Sequence, residues 1–155
     1  MLYALLKAVH VLAVVLWVGG MAFAHFFLRP SLPLLEPPQR LRLMRAVLQR
    51  FFGAVLVAVG LVLGSGLWMI GRVARQAAQG GARFDWPPSW VLMTALGLLM
   101  IAIFGHIRFV LYRRFAAAMD REDLPASAAA LARIRRWVSV NLALGVGVIA
   151  AVLLL

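Results

Sequence analysis

The residues of this chain best suited to chemistry are His10, His25 and His106, and all three stand inside apolar stretches. An imidazole in hydrocarbon is costly, and ionisable residues in membrane-spanning helices usually face a bundle interior and serve a site. A neutral imidazole also binds haem iron, copper and zinc. Other chemistry is scarce. Cysteine is absent, which removes disulfides, iron–sulfur clusters and thiolate metal sites. The apolar runs hold no Asp or Glu, and no HExxH or GxSxG pattern occurs. Acid–base catalysis would rest on histidine alone, and no catalytic residue is assigned.

Helical phase groups some of these residues. At about 100° per residue, Lys7, His10, Trp17, Met21 and His25 fall within about 120° of one another, a semi-polar stripe expected to face the bundle interior. His10 and His25 are 15 residues apart in the sequence, about 22 Å along a helix, so one metal ion cannot take both. His25 precedes the end of the first apolar run by a few residues, and His106 precedes Tyr112 and Arg113 by about as many. Similar depth favours His25 and His106 as a pair holding a haem iron from both faces, with Arg108 or Arg29 meeting carboxylates. His10 is then a second site. Lys7, one turn away, would meet a propionate, and Met69 falls at a similar depth. A His/Met pair suits haem and copper alike. The bland alternatives are that Met69 packs and that each histidine hydrogen-bonds a neighbouring helix through Ser65, Thr94, Ser139 or Asn141.

The elements that position these side chains are membrane helices. The 155 residues are 65% hydrophobic, against about 45–50% apolar content in soluble domains. Apolar runs cover residues 8–28, 51–71, 91–107 and 138–155. Each is close to the roughly 20 residues that cross a bilayer core. The expectation is an all-α integral membrane protein, a four-helix bundle forming a single domain over residues 1–155. Its spans are expected at about 4–28, 51–72, 90–112 and 137–155, with Trp90 and Trp137 as interface anchors. Ala22-Phe23-Ala24 mimics a signal-peptide cleavage site, but Lys7 upstream is outnumbered by the arginines that follow, a charge order that opposes export.

Charge sets the expected topology. The formal net charge is +11. Its basic residues flank apolar runs, which points to lipid headgroups rather than nucleic acid. Arg29, Arg40, Arg42, Arg45 and Arg50 fill the first loop. Arg113, Arg114, Arg121, Arg133, Arg135 and Arg136 fill the third. The middle loop has Arg72, Arg75 and Arg83. By the positive-inside rule the first and third loops are cytoplasmic and both termini face the outer, periplasmic side. A multi-pass protein of a bacterial inner membrane is the expected setting.

Local signals add detail. Pro30, Pro33, Pro37 and Pro38 should break the chain after the first run. Leu41, Met44 and Leu48 recur at helical spacing, so residues 39–50 read as an amphipathic segment at the interface that leads into span two. Gly80-Gly81 and Pro87-Pro88 bracket the outer loop, and Asp123 and Pro125 start a helix that continues through span four. No soluble-type repeat is evident. Gly53, Gly60, Gly64 and Gly71 form a small-residue stripe that admits a neighbouring backbone or a flat cofactor. Gly145 and Gly147 make the last span compact.

The segment Lys7-Ala8-Val9-His10, followed by Trp17-Val18-Gly19-Gly20-Met21, resembles the first span of CopD-type copper-resistance membrane proteins. It is also similar to that of HemJ-type protoporphyrinogen oxidases. Phe104-Gly105-His106 before a basic stretch looks like a later span of the HemJ type. Arg29-Pro30 and Arg50-Phe51-Phe52 look closer to small CopD-like proteins. The resemblance implies a four- or five-helix inner-membrane bundle, with His10 and then His106 as the carried-over ligands. From the HemJ side it implies haem b and a membrane oxidoreductase; from the CopD side, copper uptake or export with periplasmic partners.

Three functions follow from this reading. In the first, the protein binds haem b through His10, His25 or His106, with Lys7 and Arg108 near propionates. It exchanges electrons with quinone or a periplasmic redox partner. In the second, it is a copper-transport or copper-resistance component using His10, Met21 and Met69. In the third, it is a scaffold without cofactor. Exposed small-residue faces suggest a homodimer.

Overall fold

The computed structural model describes residues 1–81 and 85–154. Arg83 of the middle loop and Leu155 lie outside them. Among the described residues, four helices are long and apolar enough to cross a membrane: α1 (Leu2–Leu34), α2 (Pro37–Gln79), α3 (Pro88–Asp120) and α4 (Leu124–Leu154). The all-α, four-helix expectation holds.

Helix α1 runs further than its prolines suggest. It passes through Pro30 and ends after a 3-10 turn at Leu32–Leu34, where Leu35 turns extended. Pro30 has no N–H to offer residue 26, and its ring presses on that carbonyl. A π-helical turn at Ala24–Leu28 widens the helix there and absorbs the mismatch. A second π turn, Ile107–Leu111, interrupts α3. Each adjoins a histidine: His25 lies within the first, and His106 immediately precedes the second.

The segment 39–50 forms the first turns of α2, continuous with span two. Pro37 and Pro38 open that helix, where a missing N–H costs nothing. Glu36 and Gln39 form a reciprocal capping box. The apolar face read as lipid-directed is buried in the protein, with Leu41, Met44 and Leu48 each 6% exposed. Its partners are on the α3–α4 hairpin, where Phe115, Ala118, Leu131 and Ile134 are buried. Arg45 and Asp120 form an ion pair at 2.7 Å across this contact, but both side chains are well exposed. Such a pair contributes about 0.2–1 kcal/mol, so apolar burial does the holding. The hairpin turn is tight. Glu122 adopts a left-handed conformation at φ 56°, and Asp123 Oδ1 accepts the Ala126 N–H at 2.9 Å to cap α4.

The bundle is two antiparallel hairpins, α1 with α2 and α3 with α4. They meet through an edge-to-face aromatic chain. Trp17 meets Phe104 at 5.8 Å, Phe104 meets Phe52 at 5.8 Å, and Phe52 meets Tyr112 at 5.5 Å between centroids. The expected glycine stripe does not serve this packing. Gly53, Gly60, Gly64 and Gly71 each have open space where a Cβ would stand, because the larger buried side chains Phe52, Val55 and Ala58 take the inner face of α2. Close approach occurs elsewhere. A side chain at Gly20 would collide with the Phe51 ring, and one at Gly145 would meet Val18 at 2.9 Å and Met100 at 3.1 Å. Gly147 has open space.

This contrast is testable. Gly145→Val should lower the melting temperature in detergent, at an overpacking cost of about 1–3 kcal/mol. Gly147→Val should leave it nearly unchanged. Equal effects would show that α1, α3 and α4 do not meet at Gly145.

Candidate functional site

The inner stripe of α1 forms as the sequence phase suggests, with one exception. Trp17 and Met21 are 4% and 2% exposed, and His10 and His25 are half-buried. Lys7 is exposed, so its ammonium is not part of the packed stripe.

His10 and His25 are held in the same manner by different helices. His10 Nδ1 lies 3.0 Å from Ser65 Oγ on α2. Ser65 gives its own proton to the Leu61 carbonyl one turn back. With its proton so placed, the Ser65 oxygen suits the His10 tautomer that carries its proton on Nδ1 and its lone pair on Nε2. His25 Nδ1 lies 3.1 Å from Ser139 Oγ on α4, and Ser139 donates to the Arg135 carbonyl at 3.0 Å. The geometry suits the same tautomer, with the proton on Nδ1 and the lone pair on Nε2. A metal-binding histidine usually gives its other ring N–H to an outer acceptor, a place that a serine oxygen takes here. Gly66 completes the first pair, since a Cβ there would stand 3.4 Å from His10 Cε1; the glycine lets the ring lie against α2.

His106 departs from expectation. It is exposed on the outside of the bundle, with its ring 5.5 Å from that of Trp137. Met100, Ile103, Phe104 and Ile107 take the inner face of α3, and position 106 is about 200° from 104 around the helix. It does not share an interior with the other histidines. Depth matching itself is sound, because His25 touches Ser139 and His106 touches Trp137 of the same helix. Residues 137 and 139 differ by about 200° around α4, so the two imidazoles meet that helix on different sides. His10 is about 22 Å from the His25 level. The structure thus brings together neither His25 with His106 nor His10 with His106.

The remaining candidates also have places. Met69 is half-buried on α2, about 6 Å along the axis from Ser65. The Arg108 guanidinium lies over the Tyr112 and Phe109 rings at 5.3 and 5.7 Å. Thr94 is half-buried.

Between the two histidine–serine pairs lies a residue that the sequence reading treats only as a hydrogen-bond partner. Asn141 is 1% exposed, and neither its amide nitrogen nor its oxygen has a partner. Val18 meets α4 at Gly145 and His25 meets it at Ser139, so Asn141 occupies the level between them, as Met21 does on α1. A lone amide in an apolar run was the available signal. Nothing in the sequence says whether it is paired.

Among the described residues no three His, Cys, Asp or Glu side chains gather as a metal cluster. The arrangement is a line of donors: imidazole, thioether and amide, then imidazole. A family model described as copper resistance protein D matches residues 45–155, from within α2 to the end of the chain. That match does not include α1, with His10 and His25. No curated protein and no solved structure matches the chain. With most of its length matched by that model and four membrane-capable helices, the chain belongs to the copper resistance protein D (CopD) family of membrane proteins.

Proposed function

We propose that this protein handles copper ions within the membrane and that α1 carries the principal ligands. The observation that supports it is the pair of histidines whose Nδ1 atoms each meet a serine oxygen, an arrangement that turns Nε2 toward a metal ion in the matching tautomer. Imidazole and thioether donors suit copper. Membership of a copper-resistance family supports a copper-linked role.

His10 is the capture site at the end of the bundle that holds the chain termini, with Met69 one turn away as a second donor. Met21 and Asn141 lie at intermediate depth. His25 lies at the arginine-rich end. By the positive-inside rule the His10 end is periplasmic, where a copper-binding protein partner would deliver or receive the ion. Trp17, Phe52 and Phe104 close the centre, so passage from one histidine to the other requires these rings to shift.

The histidines do not fit a haem held between two imidazoles. Axial nitrogens on one iron must approach within a few ångströms, and no two histidines here share an interior level.

Competition of purified protein against a chromogenic Cu(I) chelator tests the ligand assignment. His10→Ala should abolish binding at the stronger site. Ser65→Ala should weaken it about 10–100-fold, the usual cost of losing an orienting partner. His106→Ala should leave it unchanged. Unaltered copper affinity in His10→Ala would remove the proposal.

Asn141 makes a second expectation. A buried unpaired amide costs about 1–3 kcal/mol, so Asn141→Leu should fold with equal or higher melting temperature. If the amide serves the ion, the same variant should lower copper accumulation in cells. A variant that is more stable and fully active would assign Asn141 no role in copper handling.

A further inference from the structure

At the arginine-rich end, three arginines stand on separate segments. Arg29 follows the π turn of α1, Arg40 stands in the first turns of α2, and Arg135 lies in α4 one turn before Ser139. The His25–Ser139 contact sets Arg29, one turn further along α1, and Arg135, one turn earlier on α4, at one level on facing turns. Arg40 is held in place. Its Nε donates to the Leu35 carbonyl and its Nη2 to the Pro33 carbonyl at 3.1 Å, which leaves its other N–H groups free. Arg135 Nε is buried without a hydrogen-bond partner.

Among the described residues no carboxylate is paired with these arginines. The ion pair among the described residues is Arg45 with Asp120, and Glu36, the nearest acid in sequence, caps α2 and is exposed. Like charges converging around a buried, unpaired guanidinium N–H raise the energy of the folded state unless an anion joins them. Guanidinium forks match phosphate geometry. Arg29 and Arg135 stand at the boundary of apolar runs and Arg40 is bonded to the turn that follows the first, where the abundant anions are lipid phosphates.

We propose that Arg29, Arg40 and Arg135 form a binding site for the phosphate of an acidic phospholipid headgroup. The site ties the end of α1 to α2 and α4 through a bound lipid, one turn from the His25–Ser139 pair. It does not depend on the copper reading.

The test is a titration of full-length protein in neutral detergent with short-chain phosphatidylglycerol, read by calorimetry. Parallel arms use short-chain phosphatidylcholine and inorganic phosphate. Saturable binding of phosphatidylglycerol is expected, with phosphatidylcholine weaker because choline adds a cation. Arg29→Gln and Arg135→Gln should each weaken it about fivefold, the usual contribution of one basic residue at a lipid surface. Arg72→Gln, at the other end of the bundle, should not change it. Should Arg135→Gln fail to fold, Arg135→Lys should fold and still weaken binding, because the fork is lost. Equal weakening by Arg72→Gln would reduce the effect to general charge and overturn the site. Binding of inorganic phosphate as tight as that of the lipid would overturn the lipid as its source. No saturable phosphatidylglycerol binding would overturn the proposal altogether.

Discussion

Hydrocarbon offers no hydrogen bonds, so a polar side chain inside the bundle is costly unless protein or a ligand satisfies it. The arrangement of this molecule follows from that constraint. Ser65 and Ser139 first satisfy themselves, each donating to a carbonyl one turn earlier in its own helix. That commitment leaves their oxygens as acceptors. Such an oxygen suits the imidazole tautomer that presents N–H to it, which leaves the opposite ring nitrogen as a base and ligand. Two serines on other helices thus orient His10 and His25.

Holding the helices in register for these contacts is a packing problem, because lipid gives no hydrophobic drive for helix association. Two features solve it. Aromatic edges link Trp17, Phe104, Phe52 and Tyr112 across the hairpins. Gly20, Gly66 and Gly145 permit close contact with Phe51, His10 and Val18 respectively. Beyond the apolar runs, the start of α2 and the α3–α4 hairpin bury leucine, methionine and phenylalanine as a soluble core would. This basic end holds much of the buried core, and the end with His10 has fewer buried residues.

Much of this was legible from the residues. The apolar runs predict the four helices, and the phase of Trp17, Met21 and the two histidines on α1 predicts their shared inner face. Asp123 as the start of α4 follows from its type and position. Other readings fail for specific reasons. The glycines of α2 look like a packing stripe, yet phenylalanine and valine compete for the inner face and win by size. Pro30 looks like a break, yet a π turn accommodates it. Residues 39–50 look lipid-directed, because sequence shows an apolar face without showing what covers it.

The sequence by itself determined a basic, cysteine-free chain of four membrane helices whose histidines are the available ligands. Periodicity and apolar length carry that information locally. Only the tertiary structure decided which histidines act alike. His10 and His25 each meet a serine within hydrogen-bonding distance, while His106 faces outward against Trp137. Depth along a helix can be counted from sequence. The direction in which a side chain leaves its helix relative to three neighbours cannot, because the packing of large side chains such as Phe104 and Ile107 settles that rotation.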